Sequence, residues 1–281
     1  MEAKNKKKLY DFDGMFDARL AKIIEENQGK YSEKQWEDLI PKLYQKFGDT
    51  VLSSIGTTPK LYYREMTDEQ LAETLRAHLE EGVPVPDFLC SALEEKDCVS
   101  LLLPFLESGK EELAQYAVGI IGSDERAYGA YLRMIASADT EKELKDAVCD
   151  CIKENADPVK KELLSYYYEG TEREYMLEML SRVRERDDIV YQVILDEFLM
   201  HLEEIPMHAS YLAAYGDDRA LPHLLEQIER DDINYIEFQE LKYAIEKLGG
   251  EYTKPRDFTS DPYYVQVHTP APDLFGNEKR S

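Results

Sequence analysis

The chain has 281 residues and a net charge of −24, with 58 acidic residues against 34 basic ones. Hydrophobic residues make up 43% and charged residues 33%, a balance that supplies a core and solvated helices and excludes extended disorder. Nucleic-acid binding is disfavoured, because non-specific affinity for phosphate backbones rests on Lys and Arg, and a basic protein or a cation is the better electrostatic match.

Residues 1–10 read as a flexible basic tail without the apolar run of a secretory signal. Residues 11–97 read as a helical N-terminal cap. It opens with a helix over Asp11–Gln28, stopped by Gly29. Ser32 and Gln35 have capping-box spacing, and Trp36, Leu39, Ile40, Leu43, Tyr44 and Phe47 follow at helical intervals up to Gly48. Gly56 and Pro59 leave Val51–Tyr63 as a loop or short helix. Thr67 and Gln70 cap another helix through Glu81, with Leu71, Leu75 and Leu79 on one stripe. A short helix over Asp87–Lys96 closes the cap.

From residue 98 the pattern repeats as helix pairs. Cys98–Glu107 and Glu111–Ile121 form the first, Glu125–Ser137 and Glu141–Glu154 the second, and Pro158–Tyr168 and Glu172–Arg184 the third. Asp188–Glu203 with Met207–Tyr215 and Asp218–Glu229 with Asn234–Leu248 complete the run to residue 250. The period is about 30 residues, within the solenoid range, and a pair this small must stack on its neighbours to bury its apolar face. No alternating strand pattern interrupts it. Residues 251–281 hold four prolines and read as an extended C-terminal segment, with Asp257–Val267 lying over the last pair and Pro270–Ser281 trailing.

Three local motifs recur. An aliphatic-Pro-x-Leu run occurs at Ile40–Leu43, Leu103–Leu106 and Leu221–Leu224, where a repeated proline suggests a repeated bend. Gly122-Ser-Asp-Glu-Arg126-Ala127 and Gly216-Asp-Asp-Arg219-Ala220 each place a helix-ending Gly before a capping Asp. Glu185–Tyr191 and Glu229–Tyr235 share Glu-Arg-Asp-Asp-Ile-x-Tyr but lie out of phase with the period, and read as one solution to a helix joint. The Gly-Asp-x-Arg-Ala-Leu-Pro-x-Leu-Leu run at 216–225 resembles the short bacterial HEAT-like repeat. The likeness is specific there, fair at 98–127 and weak between 130 and 205, where the Gly-Asp joints are missing. It implies an all-α fold: an α-solenoid of about five HEAT-like pairs behind the N-terminal cap.

No nucleophile elbow, P-loop, dinucleotide fingerprint or His-Glu-x-x-His motif occurs, so no enzyme and no cofactor is expected. The pairs Asp187-Asp188, Asp217-Asp218 and Asp231-Asp232 read as helix caps, not cation sites, since no calcium loop surrounds them. Asp11–Gly14 is likewise a turn and cap. Glu197 and His201 are spaced as a helix-face pair. Glu204 and His208 share that spacing but are interrupted by Pro206, and no metal site is expected. The four cysteines, Cys90, Cys98, Cys149 and Cys151, read as reduced core residues. Apolar runs such as Leu101–Leu106 are too short for a membrane span, which points to a cytoplasmic location.

The 20 tyrosines against 9 phenylalanines favour a binding surface, and at least one of Tyr166, Tyr167 and Tyr168 should face outwards. The resemblance implies that second helices line a concave face. Their exposed positions, Glu112, Gln115, Lys145, Glu178, Arg182, Gln239 and Tyr243, are the partner-binding candidates. Ile236 joins them, because Ile236 and Tyr243 fall opposite the stripe of Phe238, Leu241, Ile245 and Leu248 in what should be a closing helix. The expected function is a non-enzymatic module or scaffold binding a protein or peptide. The alternatives are an acidic nucleic-acid mimic and, further off, a HEAT-like DNA-base glycosylase or chromophore lyase.

Overall fold

The computed structural model describes residues 8–269. The chain divides into two compact units, Met1–Ile152 and Lys153–Ser281. It is all-α, with neighbouring helices packed in series in a solenoid-like manner. Among the described residues the sole β contact is an antiparallel bridge between Leu52 and Thr57.

The first unit holds α1 (Phe12–Glu26), α2 (Glu33–Gly48), α3 (Pro59–Arg64), α4 (Asp68–Glu81), α5 (Asp87–Glu94), α6 (Val99–Leu106), α7 (Glu111–Ile121) and α8 (Tyr128–Ala136). Most of α9 (Lys142–Lys153) belongs to it as well. The Ser32–Gln35 and Thr67–Gln70 capping boxes both form. Val51–Tyr63 ends in a helix because Thr58 accepts the Leu61 amide and Pro59 fits the first turn. Helix α4 packs on α5 and α6, α5 on α7, and α6 on α7 and α8. Pairing therefore starts with α4 and α5, inside the segment expected to be a cap. Nor do Leu9 and Tyr10 fray. Tyr62 donates a hydrogen bond to the Lys8 carbonyl at 2.8 Å, and Tyr10 stacks on Phe12 at 5.5 Å.

The second unit holds α10 (Lys160–Glu169), α11 (Arg173–Leu180), α12 (Asp188–Met200), α13 (Ile205–Tyr215), α14 (Leu221–Ile228), α15 (Tyr235–Lys247) and α16 (Pro262–His268). Helices α10–α11, α12–α13 and α14–α15 are pairs, and α11, α13 and α15 follow one another in a layer. Gly216 ends α13 at φ 77°, the left-handed region that costs other residues about 1–2 kcal/mol.

The Gly-Asp-x-Arg motif does more than cap. Asp217 accepts the Arg219 amide, and the Arg219 guanidinium binds Asp217 with two hydrogen bonds while reaching Asp188, on the preceding pair, at 2.8 Å. Arg126 repeats this between Asp124 and Asp97. One arginine thus ties the start of one pair to the start of the next. The Asp pairs differ in role: Asp187 caps α12 and Asp188 holds Arg219, whereas Asp217 does both for its own joint. Asp232 holds Arg230, and the cap of α15 is Asn234. The two Glu-Arg-Asp-Asp-Ile copies are thus not one joint, since the first precedes the opening helix of a pair and the second the closing helix. The three prolines differ too. Pro41 and Pro104 lie inside helices and Pro222 in a first turn, so they do not make a common bend.

The C-terminal segment departs from the extended path expected over Asp257–Val267. Residues 251–258 have no helix, but Asp261 caps α16 by accepting the Tyr263 and Tyr264 amides. The segment packs on the other side of α15 from Ile236 and Tyr243. Phe258 is buried against Tyr235 and Phe238, and Tyr252 meets Phe238 edge-on. Ile236 and Tyr243 stay exposed, at 38% and 50%. Residues 1–7 of the expected basic tail and Pro270–Ser281 lie outside the described residues.

Candidate functional site

Two grooves, one in each unit, carry the chemistry. The groove of the second unit gathers Glu178, Arg182 and Tyr243 from the sequence-predicted residues, together with Ser210, Tyr211 and Lys247, around about 380 Å³. It lies on the layer formed by α11, α13 and α15. The Glu178 carboxylate is bound by Lys153. Arg182 forms no ion pair among the described residues. Lys247 sits over the Tyr243 ring at 5.8 Å. This groove is therefore locally cationic and aromatic despite the acidic chain.

The other predicted residues do not join it. Ile236 and Gln239 are exposed on α15 but line neither groove. Glu112 and Gln115 are exposed on α7, where Gln115 donates to Glu111 at 2.8 Å. Lys145 is not a surface residue at all, with 7% exposure. It occupies the i position of the stripe Lys145, Val148, Cys149, Ile152, so helical spacing turns it into the core. Of the tyrosine run, Tyr167 is buried and Tyr168 is 63% exposed, since successive helical side chains point about 100° apart.

The groove of the first unit was not legible from the sequence. It encloses about 790 Å³ and its walls come from α1, α2, α3 and α5. Its floor is a stack of Tyr44 on Phe88, with centroids 4.6 Å apart and planes 6° from parallel, and Phe16 meets Tyr44 edge-on at 5.0 Å. Gly48 permits this, because a Cβ there would lie 2.6 Å from Phe88 Cε1. Six carboxylates line the rim: Asp13, Asp17, Asp49, Asp87, Glu94 and Glu95. The two cations facing them are already committed, Lys60 to Asp49 at 2.8 Å and Arg64 to Glu95 through a two-pronged pair. Asp17, Asp87 and Glu94 have no ion pair among the described residues.

Asp13 shows the consequence. Burial pushes its carboxyl above the usual range; the hydrogen bond from Tyr44 at 2.5 Å opposes this, and the Asp87 and Asp11 charges add to it. Burial likewise pushes the Tyr44 hydroxyl far up, with the hydrogen bond to Asp13 next in weight. Burial pushes the half-buried Cys90 thiol up to about 11, and the Asp87 charge adds to this.

Comparison with protein-family models, curated proteins and solved structures finds no match to this chain. Its function must therefore be argued from these side chains. What could have flagged the N-terminal groove is weak: Asp13 and Asp87 each stand beside an aromatic residue, Phe12 and Phe88, but 74 positions apart, with no local pattern linking them.

Proposed function

We propose that this chain is a non-catalytic binding module of HEAT-like helix pairs, acting in the cytoplasm, whose N-terminal unit takes a cationic segment of a partner protein. The carrying observation is the surplus of carboxylate in the first groove: Asp13, Asp17, Asp87 and Glu94 surround an aromatic floor, and the two cations on the rim, Lys60 and Arg64, are already paired with Asp49 and Glu95. Like charges in a partly desolvated cleft repel each other, and a Lys or Arg would relieve them while laying its methylene stem on Tyr44 and Phe88. An aromatic floor beneath the carboxylates favours this over a phosphate mimic, which needs carboxylates alone. The second groove, with Arg182 and Lys247 beside Tyr243, supports a further contact of opposite sign.

The test is fluorescence anisotropy with a labelled Lys- and Tyr-containing peptide and its Glu-for-Lys counterpart. The cationic peptide should bind and its counterpart should not. Asp17→Asn with Asp87→Asn should weaken binding roughly tenfold, each exposed pair contributing up to about 1 kcal/mol. Glu226→Gln, in the second unit, should leave it unchanged. Equal losses from all three substitutions would reduce the effect to bulk charge and remove the proposal.

A further inference from the structure

A cluster of titratable side chains lies in the second unit, beside its groove, where the Tyr211 ring meets His208 edge-on at 5.9 Å. The end of α12, the loop after it and the start of α13 bring Glu197, His201, Glu204 and His208 together, and Glu174 reaches in from the first turn of α11. These helices converge because α11, α12 and α13 pack on each other. Pro206, expected to interrupt the Glu204–His208 spacing, instead sits in the first turn of α13, so both residues meet on one side of a helix start.

His208 is the anomaly. It is 1% exposed, yet neither ring nitrogen has a hydrogen-bond partner. Its Nε2 stands 3.5 Å from Glu204 Oε2, an ion-pair distance without hydrogen-bond geometry. Buried imidazole nitrogens are normally satisfied, so an orphaned one facing two carboxylates needs an explanation. The ligand atoms of Glu174, Glu204 and His208 all lie within 4.8 Å of one another. Tetrahedral bonds of about 2.0–2.1 Å place ligand atoms about 3.3 Å apart. Both carboxylates are exposed, and small rotations about their long side chains close that gap.

We propose that Glu174, Glu204 and His208 form a binding site for a divalent first-row transition ion of the zinc class. One imidazole nitrogen and two carboxylate oxygens suit such an ion, whereas all-oxygen cages suit magnesium or calcium. Three protein ligands leave a fourth position for water or for a partner's side chain. The surroundings have the character of a supporting shell. His201 stacks on His208 at 5.7 Å and is itself held, by Glu197 at 3.2 Å and Glu203 at 3.2 Å. Glu197, 4% exposed, accepts a hydrogen bond from the Tyr167 hydroxyl. Outer partners of this kind orient the inner residues. The ion would join α11 to α13, and Tyr211 of α13 and Arg182, just past the end of α11, line the groove nearby.

The full chain, stripped with chelator, is titrated with Co²⁺ as a spectroscopic probe. One equivalent should bind with the visible bands of a four-coordinate ion, Zn²⁺ should displace it, and Mg²⁺ in large excess should not. Glu174→Gln and Glu204→Gln, both at exposed positions that leave folding intact, should each weaken Co²⁺ binding by at least about tenfold, and Glu226→Gln should not. His208→Gln should abolish the visible bands; if that variant does not fold, the two Glu variants decide alone. Co²⁺ affinity unaffected by Glu174→Gln and Glu204→Gln, or displacement by Mg²⁺ as readily as by Zn²⁺, would overturn the assignment.

Discussion

Truncating Phe258 to alanine should unlatch the C-terminal segment. Phe258 is 8% exposed and packs on Tyr235 at 5.5 Å and Phe238 at 5.0 Å. Arg256 lies over the same ring at 5.3 Å and donates to the Arg230 carbonyl at 2.6 Å. Removing a buried Phe costs about 3–5 kcal/mol where the core cannot collapse. Here the ring is clamped against one helix and the segment can lift away, which places the cost near the lower end. About 3 kcal/mol is roughly a 150-fold shift in the local opening equilibrium. Trypsin cleavage after Arg256 reads that equilibrium when opening and closing are fast relative to cleavage. Phe258→Ala should therefore be cut at Arg256 on the order of a hundred times faster than the parent chain. Phe258→Leu should recover much of the protection by keeping volume. Equal cleavage rates for the parent and Phe258→Ala would show that the ring does not hold the segment, and the reasoning would fail.

Other expectations test the joints and the first groove. Asp217→Ala removes both a cap and the Arg219 pair and should cost about 1–2 kcal/mol in urea unfolding. Arg219 holds the Asp217 carboxyl below the usual range, so its contribution is complete above about pH 4 and is lost as the pH falls towards the depressed value. Asp217→Asn should accordingly flatten the acid limb of the stability profile and leave the neutral limb parallel to the parent. Gly216→Ala should cost about 1–2 kcal/mol from backbone conformation alone, since no atom lies within 4 Å of the added Cβ, and Gly216→Asn should cost less. Gly48→Ala forces a Cβ to 2.6 Å from Phe88 and 2.8 Å from Lys60 Cε, and should cost about 1–3 kcal/mol by Trp36 fluorescence melting while weakening the cationic peptide.

Local features are legible in the sequence because their physics is local. The Ser32 and Thr67 caps need only residues three positions apart, and the apolar stripes need only the helical repeat. Lys145 shows where a stripe can mislead: its charge suggested the surface, but its spacing with Val148, Cys149 and Ile152 places it in the core. The Asp187-Asp188 pair shows a different limit. Capping explains the first aspartate, but the second serves an arginine 31 positions later, and a one-period separation becomes a contact only once the pairs stack. The N-terminal groove and the His208 cluster were hidden for the same reason, since α1 and α5, or α11 and α13, share no sequence neighbourhood.

The charge excess gains meaning from where the cations are used. Arg126, Lys153, Lys160, Arg219, Arg230 and Lys254 each bind carboxylates at or between helix joints. Such exposed pairs contribute little stability singly, about 0–1 kcal/mol, but they fix how one helix pair starts relative to the next. Cations spent in this way cannot neutralise carboxylates elsewhere. An acidic chain that builds its joints from arginine and lysine must leave unpaired acid on other surfaces, and the concave ones focus the resulting field most strongly. In the first unit that acid falls around the Tyr44–Phe88 stack, where Asp17, Asp87 and Glu94 have no cation of their own. The net charge of −24 is thus a poor guide to any single surface, as the Arg182 groove shows. The position of the uncompensated carboxylates is the better guide, because there a cation from outside gains most from binding.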